Sequence, residues 1–296
     1  MIRAWLEALR PKQWTKNLLL FAGVVFSQHL REPRLFGRAV VGFLAFSLLS
    51  GIVYLINDLR DVEQDRAHPR KRLRAIPSGR LPIRVAWVSL IPLAAVVITL
   101  SWWLGPGYTL TAALYVALNL AYSFGLKGVV LLDVFIVALG FVLRAIAGVQ
   151  LLVPVAPGTE LSPWLLVCTF FGALFIALGK RRRELTNAGG TQATRQRTVL
   201  DQYTPELVDQ LLVIAAAASL MSYALYTIWP GTVAKFHTEA LLFTVPLVAY
   251  GLFRYLWLVE ASEQSEDPSQ VLLTDRPLAA TLLLYLATVL LILYRV

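Results

Sequence analysis

The sequence predicts an all-α fold, a multi-pass membrane helical bundle of about nine transmembrane helices, and three observations lead there. Of 296 residues, 57% are hydrophobic and only 15% charged, whereas a soluble domain carries about 25% charged residues. The apolar residues come in runs near the roughly 20 that a helix needs to cross a hydrocarbon core of about 30 Å. Buried strands are shorter, at about 4–8 residues. Gly and Pro fall between the runs, as in Gly105-Pro106-Gly107 and Pro230-Gly231, where connections require them. The composition also excludes disorder, which needs a polar chain poor in aromatics. A single cysteine, Cys168, excludes a disulfide framework within the chain. His29, His68 and His237 stand too far apart for zinc-ligand spacing.

The elements follow in order. Residues 1–16 lack the continuous apolar core and cleavage site of a signal peptide. Ile2, Trp5, Leu6 and Leu9 recur at i, i+3, i+4 and i+7, the pattern of an amphipathic helix lying in the membrane interface, and Pro11 ends it. Spans are expected at about 17–30, 38–57, 85–104, 108–126, 129–153, 161–179, 210–229, 239–259 and 277–294, all within a single integral-membrane domain, 1–296. Nine spans put alternate loops on the side of the N-terminus. Most of the 27 Lys and Arg fall there, while the opposite side holds Arg31, Arg34, Arg38, Lys235 and Arg295. The excess of positive charge makes that side cytoplasmic, and the expected location is the plasma (cell) membrane. So distributed, the net charge of +9 points to a membrane and phosphates, with no nucleic acid partner.

The strongest local signal is Asn57-Asp58-Leu59-Arg60-Asp61-Val62-Glu63-Gln64-Asp65-Arg66. If the second span continues as helix, Asp58, Asp61 and Asp65 share one face. Like charges so close repel, and a divalent cation resolves the conflict. Carboxylate oxygens with open positions suit Mg²⁺, which shares its shell with substrate phosphates, and Asn57 adds an amide oxygen or holds a neighbour. The plainer alternative is a solvated helix end paired with Arg60, Arg66 and Arg70. His68-Pro69 ends the helix, since the residue before Pro avoids the α region. In the basic stretch that follows, Lys71 and Arg74 are the expected phosphate grips, and the rest set topology or meet anionic lipid.

Asp133 and Arg144 share a face of the fifth span but stand about 16 Å apart along it, too far to pair. Each therefore needs another partner. For Arg144 the candidates are a lipid-borne phosphate or a carboxylate on another helix, and for Asp133 a substrate group or a buried ion pair across helices. Tyr122 to Lys127 closes the fourth span and Gly179 to Glu184 the sixth. Lys16-Asn17 and Asp275-Arg276 reach the same side. Together they predict a wet, charged cavity open to cytosol and lipid.

These residues resemble the UbiA superfamily of intramembrane prenyltransferases. Its first motif, NDxxDxxxD, stands intact at Asn57, Asp58, Asp61 and Asp65, and the span count matches its architecture over nearly the whole chain. The usual second motif, two aspartates after the sixth helix, is missing. That stretch reads Lys180-Arg181-Arg182-Arg183-Glu184-Leu185, with Glu184 the only nearby carboxylate. In this the chain is similar to the branch that acts on decaprenyl phosphate. The similarity extends to Arg10-Pro11-Lys12-Gln13-Trp14-Thr15-Lys16-Asn17, Tyr122-Ser123 to Lys127, Asp133 through Gly148, Gly179-Lys180-Arg181, and Asp267-Pro268 through Asp275-Arg276-Pro277. Ala75 stands where that branch would have Pro.

The resemblance implies a Mg²⁺-dependent membrane glycosyltransferase. It would move 5-phosphoribosyl from phosphoribosyl diphosphate to a polyprenyl phosphate and release diphosphate, a step toward a lipid-linked pentose donor for cell-wall polysaccharide. It implies that Asp58, Asp61 and Asp65 hold the metal and that Lys127 and Glu184 join them in catalysis. Substrate binding would fall to Lys16, Asn17, Asn57, Lys71, Arg74, Tyr122, Asp133, Arg144, Lys180, Arg181, Asp275 and Arg276. The expected partners are the two substrates and membrane lipids, with a homo-oligomer left open. Two other readings stay open. One is a UbiA-type enzyme passing a polyprenyl group from its diphosphate to an aromatic or other lipophilic acceptor; the other is a transporter. A second loop rich in Lys and Arg answers the extra phosphates of the first reading. Of the groups a transporter needs near the midplane, only Asp133 and Arg144 qualify.

Overall fold

A computed structural model describes residues 1–69, 71–187, 199–261 and 274–294, and these are helical with no strand among the described residues. Arg70, Arg295 and the Asp267-Pro268 stretch lie outside them. The helices are α1 (Ile2–Ala8), α2 (Phe21–Phe26), α3 (Pro33–Arg60), α4 (Val62–Ala67), α5 (Ile83–Leu104), α6 (Pro106–Phe124), α7 (Leu132–Gln150), α8 (Pro163–Asn187), α9 (Pro205–Ile228), α10 (Pro230–Phe236), α11 (Val245–Ala261) and α12 (Arg276–Tyr294). A 3₁₀ helix, Pro11–Leu20, precedes α2.

Seven helices are long and apolar enough to cross a bilayer: α3, α5, α7, α8, α9, α11 with the 3₁₀ turn before it, and α12. The long apolar side chains they expose, such as Trp87, Ile91, Ile98 and Trp102 on α5 and Leu283 and Leu284 on α12, would be untenable in water over so large an area. Helix α6 has 19 residues, but Tyr108, Thr109, Thr111, Tyr115, Asn119 and Tyr122 make it less apolar. The expected span at 17–30 is not one continuous helix. Its residues divide between the 3₁₀ helix and the six-residue α2, and Gln28 beyond them is left-handed (φ 64°). The count of nine is therefore not confirmed among the described residues.

The chain forms two compact units, Met1–Phe124 with Leu143–Leu161, and Gly125–Val142 with Ser162–Val296. In the first, α3 is the central element and buries Phe46, Leu55 and Leu59 among others. Tyr108 of α6 donates to the Gly42 carbonyl at 2.7 Å. The backbones of α2 and α7 touch where both carry glycine. A Cβ on Gly23 would lie 2.0 Å from the Gly148 oxygen, and one on Gly148 would lie 2.1 Å from the Leu20 oxygen. Arg38, which the sequence places among topology-setting charges, is buried. It donates to the carbonyls of Leu151 (2.6 Å), Trp103 (3.3 Å) and Leu104 (2.5 Å), closing carbonyls that the ends of α5 and α7 leave without intrahelical partners. Helix α1 buries Ala4 and Ala8, while Ile2 and Leu6 of the expected apolar face are exposed.

In the second unit α8 packs along α9 through the small residues Ala173, Ala177, Ala215 and Ala216, as close helix pairs in membranes do. Thr204 caps α9 by accepting from the Leu207 N–H at 3.2 Å. The stretch after Gly179 is helix rather than the expected loop, and α8 runs on to Asn187. Lys, Arg, Glu and Leu favour helix, and no Gly or Pro interrupts them.

Candidate functional site

The acidic motif sits at a helix junction. Helix α3 stops at Arg60, Asp61 takes φ −94° and ψ 15°, and α4 restarts at Val62. The hydrogen-bond ladder survives the break: the Asp61 N–H donates to Asn57 O (3.0 Å) and the Asp65 N–H to Asp61 O (2.8 Å). The unbroken face of three carboxylates expected from the spacing thus becomes a pair. Asp58 and Asp65 turn inward, 2% and 3% exposed, while Asp61 and Asn57 are half-buried at the junction. Helix α4 ends at Ala67, and His68 is extended before Pro69, as expected.

Three cations close on that pair. Arg74 Nη1 lies between the carboxylates, 3.1 Å from Asp58 Oδ1 and 2.6 Å from Asp65 Oδ2. Arg10 Nη2 donates to Asp58 Oδ1 at 2.5 Å, with its guanidinium over the Tyr54 ring at 4.6 Å. Lys71 Nζ stands 3.8 Å from Asp65 Oδ1. Of the three arginines in the plainer pairing, Arg70 lies outside the described residues. Arg66 pairs with exposed Glu63, and Arg60 reaches the Ser123 carbonyl. Arg80 fixes the basic loop by gripping both oxygens of Glu7 (2.6 and 2.7 Å) and the Leu73 carbonyl. The Arg80 bond holds the Glu7 carboxyl below the usual carboxylate range.

Arg144, 5% exposed, donates from Nε to Asn17 Oδ1 (2.7 Å) and from Nη2 to the Tyr115 hydroxyl (2.8 Å). Asn17 donates in turn to Ser47 Oγ at 3.0 Å. This network ties the 3₁₀ helix to α3, α6 and α7. Lys16 on the 3₁₀ helix and Tyr122 on α6 are half-buried.

The second unit gathers another set. Asp133 is fully buried; it accepts from Arg181 Nε (2.6 Å) and from the Tyr203 hydroxyl (2.7 Å). Arg181 also bonds Glu184, and Lys180 Nζ lies 3.9 Å from Glu184. The Tyr203 hydroxyl accepts from the Leu131 N–H at 2.8 Å, where Leu131 is left-handed (φ 68°). Burial, with Asp133 beside it, pushes the Tyr203 hydroxyl above its ordinary pKa. Lys127 is half-buried in the 3₁₀ turn Leu126–Gly128. Asp275 caps α12, accepting from the Leu278 N–H (2.9 Å) and pairing with Arg254 (2.8 Å), and that pairing lowers its pKa. Arg276 is the exposed first residue of α12. A shallow concavity of about 520 Å³ is lined by Asp209, Gln210, Val213 and Ile214 and holds none of these groups.

The sequence reading missed Arg10 and Tyr203. The signal for Arg10 was its place in the stretch Arg10 to Asn17 that shares in the family resemblance. Tyr203 carried none.

Among the described residues no group of three or more His, Cys, Asp or Glu is placed to hold a metal. The chemistry of the donor pair nevertheless fits a divalent cation. Two buried carboxylates converge on one positive centre, Arg74 Nη1, and their hard oxygen donors are those Mg²⁺ prefers.

The model of the UbiA prenyltransferase family matches residues 18–282. A decaprenyl-phosphate phosphoribosyltransferase of Corynebacterium glutamicum is 35% identical over 98% of this chain and 86% of its own. One of Mycolicibacterium smegmatis is 34% identical over 98% and 92%. A solved UbiA homologue of Archaeoglobus fulgidus, bound to DMAPP and Mg²⁺, has a TM-score of 0.72 at 20% identity and covers 99% of both chains. That likeness shows a shared fold.

Proposed function

The chain belongs to the UbiA prenyltransferase family, and from that premise we propose that it transfers 5-phosphoribosyl from phosphoribosyl diphosphate to a polyprenyl phosphate, releasing diphosphate. The observation that carries this reading is the 34–35% identity, over 98% of the chain, to proteins named for decaprenyl-phosphate phosphoribosyl transfer. The charge of the first unit's cluster supports it: Arg10, Lys71 and Arg74 outnumber the carboxylates Asp58 and Asp65 that they face, as binding a polyanionic substrate requires.

Asp58 and Asp65, with Asp61 and Asn57 beside them, would hold a divalent cation, Mg²⁺ in this proposal. When bound, such an ion neutralises charge that develops on the leaving diphosphate. Arg74 and Lys71 bind diphosphate oxygens and orient the donor. The bond between ribose C1 and the diphosphate oxygen breaks, and its electron pair leaves with diphosphate. An anionic phosphate oxygen of the lipid then bonds C1. That nucleophile is already ionised near neutral pH, so the step needs no general base. The family resemblance assigns Lys127 and Glu184 to catalysis. It assigns Lys16, Asn17, Tyr122, Asp133, Arg144, Lys180, Arg181, Asp275 and Arg276 to substrate binding. Among these, Asn17, Asp133, Arg144, Arg181 and Asp275 serve by positioning, through the bonds described above.

The apolar helices and the family make the chain an integral membrane protein. The Lys and Arg excess on one side supports a site facing the cytoplasm, and the proposed membrane is the plasma membrane. The family match runs through both compact units, which supports treating them as one integral-membrane domain. The test is incubation of the purified protein with Mg²⁺, polyprenyl phosphate and phosphoribosyl diphosphate labelled in the ribose. Label entering the lipid extract is expected. Label staying in the aqueous phase, while a prenyl diphosphate alkylates an aromatic acceptor, would replace this reading with the ordinary prenyltransferase one.

A further inference from the structure

We propose that Arg10 is an exchangeable counter-ion of the acidic cluster. It neutralises Asp58 until a divalent cation arrives with a diphosphate, and then moves to the diphosphate oxygens. The inference rests on the transferase reading for the presence of a diphosphate, but not on which group the diphosphate carries.

The backbone is the first observation. Arg10 has φ 53° and ψ 61°, a left-handed conformation in a non-glycine residue that also precedes proline, where extended conformations are favoured. Such strain persists only where the surroundings impose it. Here they do. The Arg10 N–H donates to Glu7 O (3.0 Å) and Arg10 O accepts from the Gln13 N–H (2.8 Å). Trp14 Nε1 donates to Leu9 O (3.2 Å). Farther along, Asn17 is held by Arg144, and Leu20 lies against Gly148. The strained residue is fixed at both ends, and its side chain reaches Asp58.

Charge is the second observation. Two carboxylates, Asp58 and Asp65, lie within 4.0 Å of three cations: Arg10 at 2.5 Å, Arg74 at 3.1 and 2.6 Å, and Lys71 at 3.8 Å. One oxygen, Asp58 Oδ1, accepts from both arginines. Asp58 and Asp65 are thus already compensated by these cations, so a divalent cation must displace positive charge from the same oxygens unless it brings anionic charge with it. Exposure separates the two arginines little, at 23% for Arg10 and 32% for Arg74. Binding does separate them. Arg74 bridges both carboxylates, while Arg10 holds one and rests on Tyr54 at 4.6 Å, a platform over which a guanidinium can shift. Arg10 is thus the cation that can leave Asp58 without unlinking it from Asp65.

Two effects of opposite sign follow on removing Arg10, and a merely structural residue would not give both. The full-length protein in nanodiscs is titrated with Mn²⁺, followed by electron paramagnetic resonance, with and without inorganic diphosphate. Thermal stability is recorded alongside. In Arg10→Gln, Mn²⁺ affinity without diphosphate should rise at least threefold, while diphosphate affinity at saturating Mn²⁺ should fall at least tenfold. Arg10→Lys keeps the charge and should leave Mn²⁺ affinity near the wild-type value. In the wild type itself diphosphate should raise Mn²⁺ affinity at least tenfold, a comparison that holds even if Arg10→Gln fails to fold. Unchanged or weaker Mn²⁺ binding in Arg10→Gln, or no cooperativity in the wild type, overturns the proposal. Because the probe is inorganic diphosphate, failure of phosphoribosyl transfer would be a separate result.

Discussion

Replacing Gly148 with alanine should loosen the segment that carries Arg10 and cost both stability and turnover. The added Cβ would lie 2.1 Å from the Leu20 carbonyl oxygen and 2.8 Å from Leu20 Cα. Ordinary contact is about 3.5 Å, so α7 and the end of the 3₁₀ helix must part by roughly 1.4 Å. Both partners are backbone, and no rotamer change relieves the clash. Overpacking of this kind costs about 1–3 kcal/mol, and the upper end applies where backbone meets backbone. A loss of about 3 kcal/mol corresponds to a fall in Tm on the order of 6–12 °C. Because the parted segment leads back to Arg10, kcat/KM for phosphoribosyl transfer should fall about 100-fold, the scale of a misplacement near 1 Å. The control is Gly37→Ala on α3, where a Cβ meets nothing within 4 Å and the better helix propensity of alanine gains up to about 1 kcal/mol. Thermal melts and initial rates on both purified variants decide the matter. If Gly148→Ala melts no lower than Gly37→Ala, the backbone contact and the positioning argument built on it are both wrong.

Asp58→Ala and Asp61→Ala should each reduce turnover at least ~100-fold with helix content by circular dichroism unchanged. Exposed Arg72→Ala should stay near the wild-type rate, and near wild-type activity for either aspartate variant at saturating Mg²⁺ would refute the site. Arg38→Ala removes a guanidinium with three carbonyl acceptors, and charged hydrogen bonds contribute about 1.5–3 kcal/mol each. A loss of at least ~3 kcal/mol is expected, read by melting against exposed Arg34→Ala, with the rate per folded molecule unchanged. Asp275 has a pKa depressed by Arg254, so its cap on α12 contributes stability that is full above the unfolded carboxylate pKa of about 3.9. That contribution is lost as pH falls through the lower folded value. Amide exchange at Leu278 should therefore quicken, after correction for intrinsic rates, below about pH 3.9, and Asp275→Asn should abolish the extra pH dependence.

The acidic motif was legible because chemistry and spacing lie together in ten consecutive residues, and the spacing placed Asp58 and Asp65 on one helical face even though the helix breaks between them. Lys71 and Arg74 were legible for the same reason: they follow within one short loop. The long apolar runs gave α5 and α12 nearly to their ends and the apolar middles of α3, α8 and α9. What escaped depends on contacts between distant segments. Arg38 reads as a topogenic charge until Leu104 and Leu151 bring their carbonyls to it. Tyr203 reads as a loop tyrosine until Asp133, 70 residues away, accepts its hydroxyl. Asp133 and Arg144 were rightly denied to each other on distance, but no periodicity could name Arg181 or Asn17 as their partners. The apolar stretch after Asn17 reads as one short helix, and only the structure shows it divided between the 3₁₀ helix and α2 and packed on Gly148 of α7.

The measurement that bears most directly on the account is the position of the metal in the loaded protein. A structure determined with phosphoribosyl diphosphate and Mn²⁺, with the metal located by its anomalous scattering, should place it on carboxylate oxygens of Asp58 and Asp65, with the diphosphate between it and Arg74. A metal bound elsewhere, or a diphosphate held away from these carboxylates, would contradict the assignment of the site.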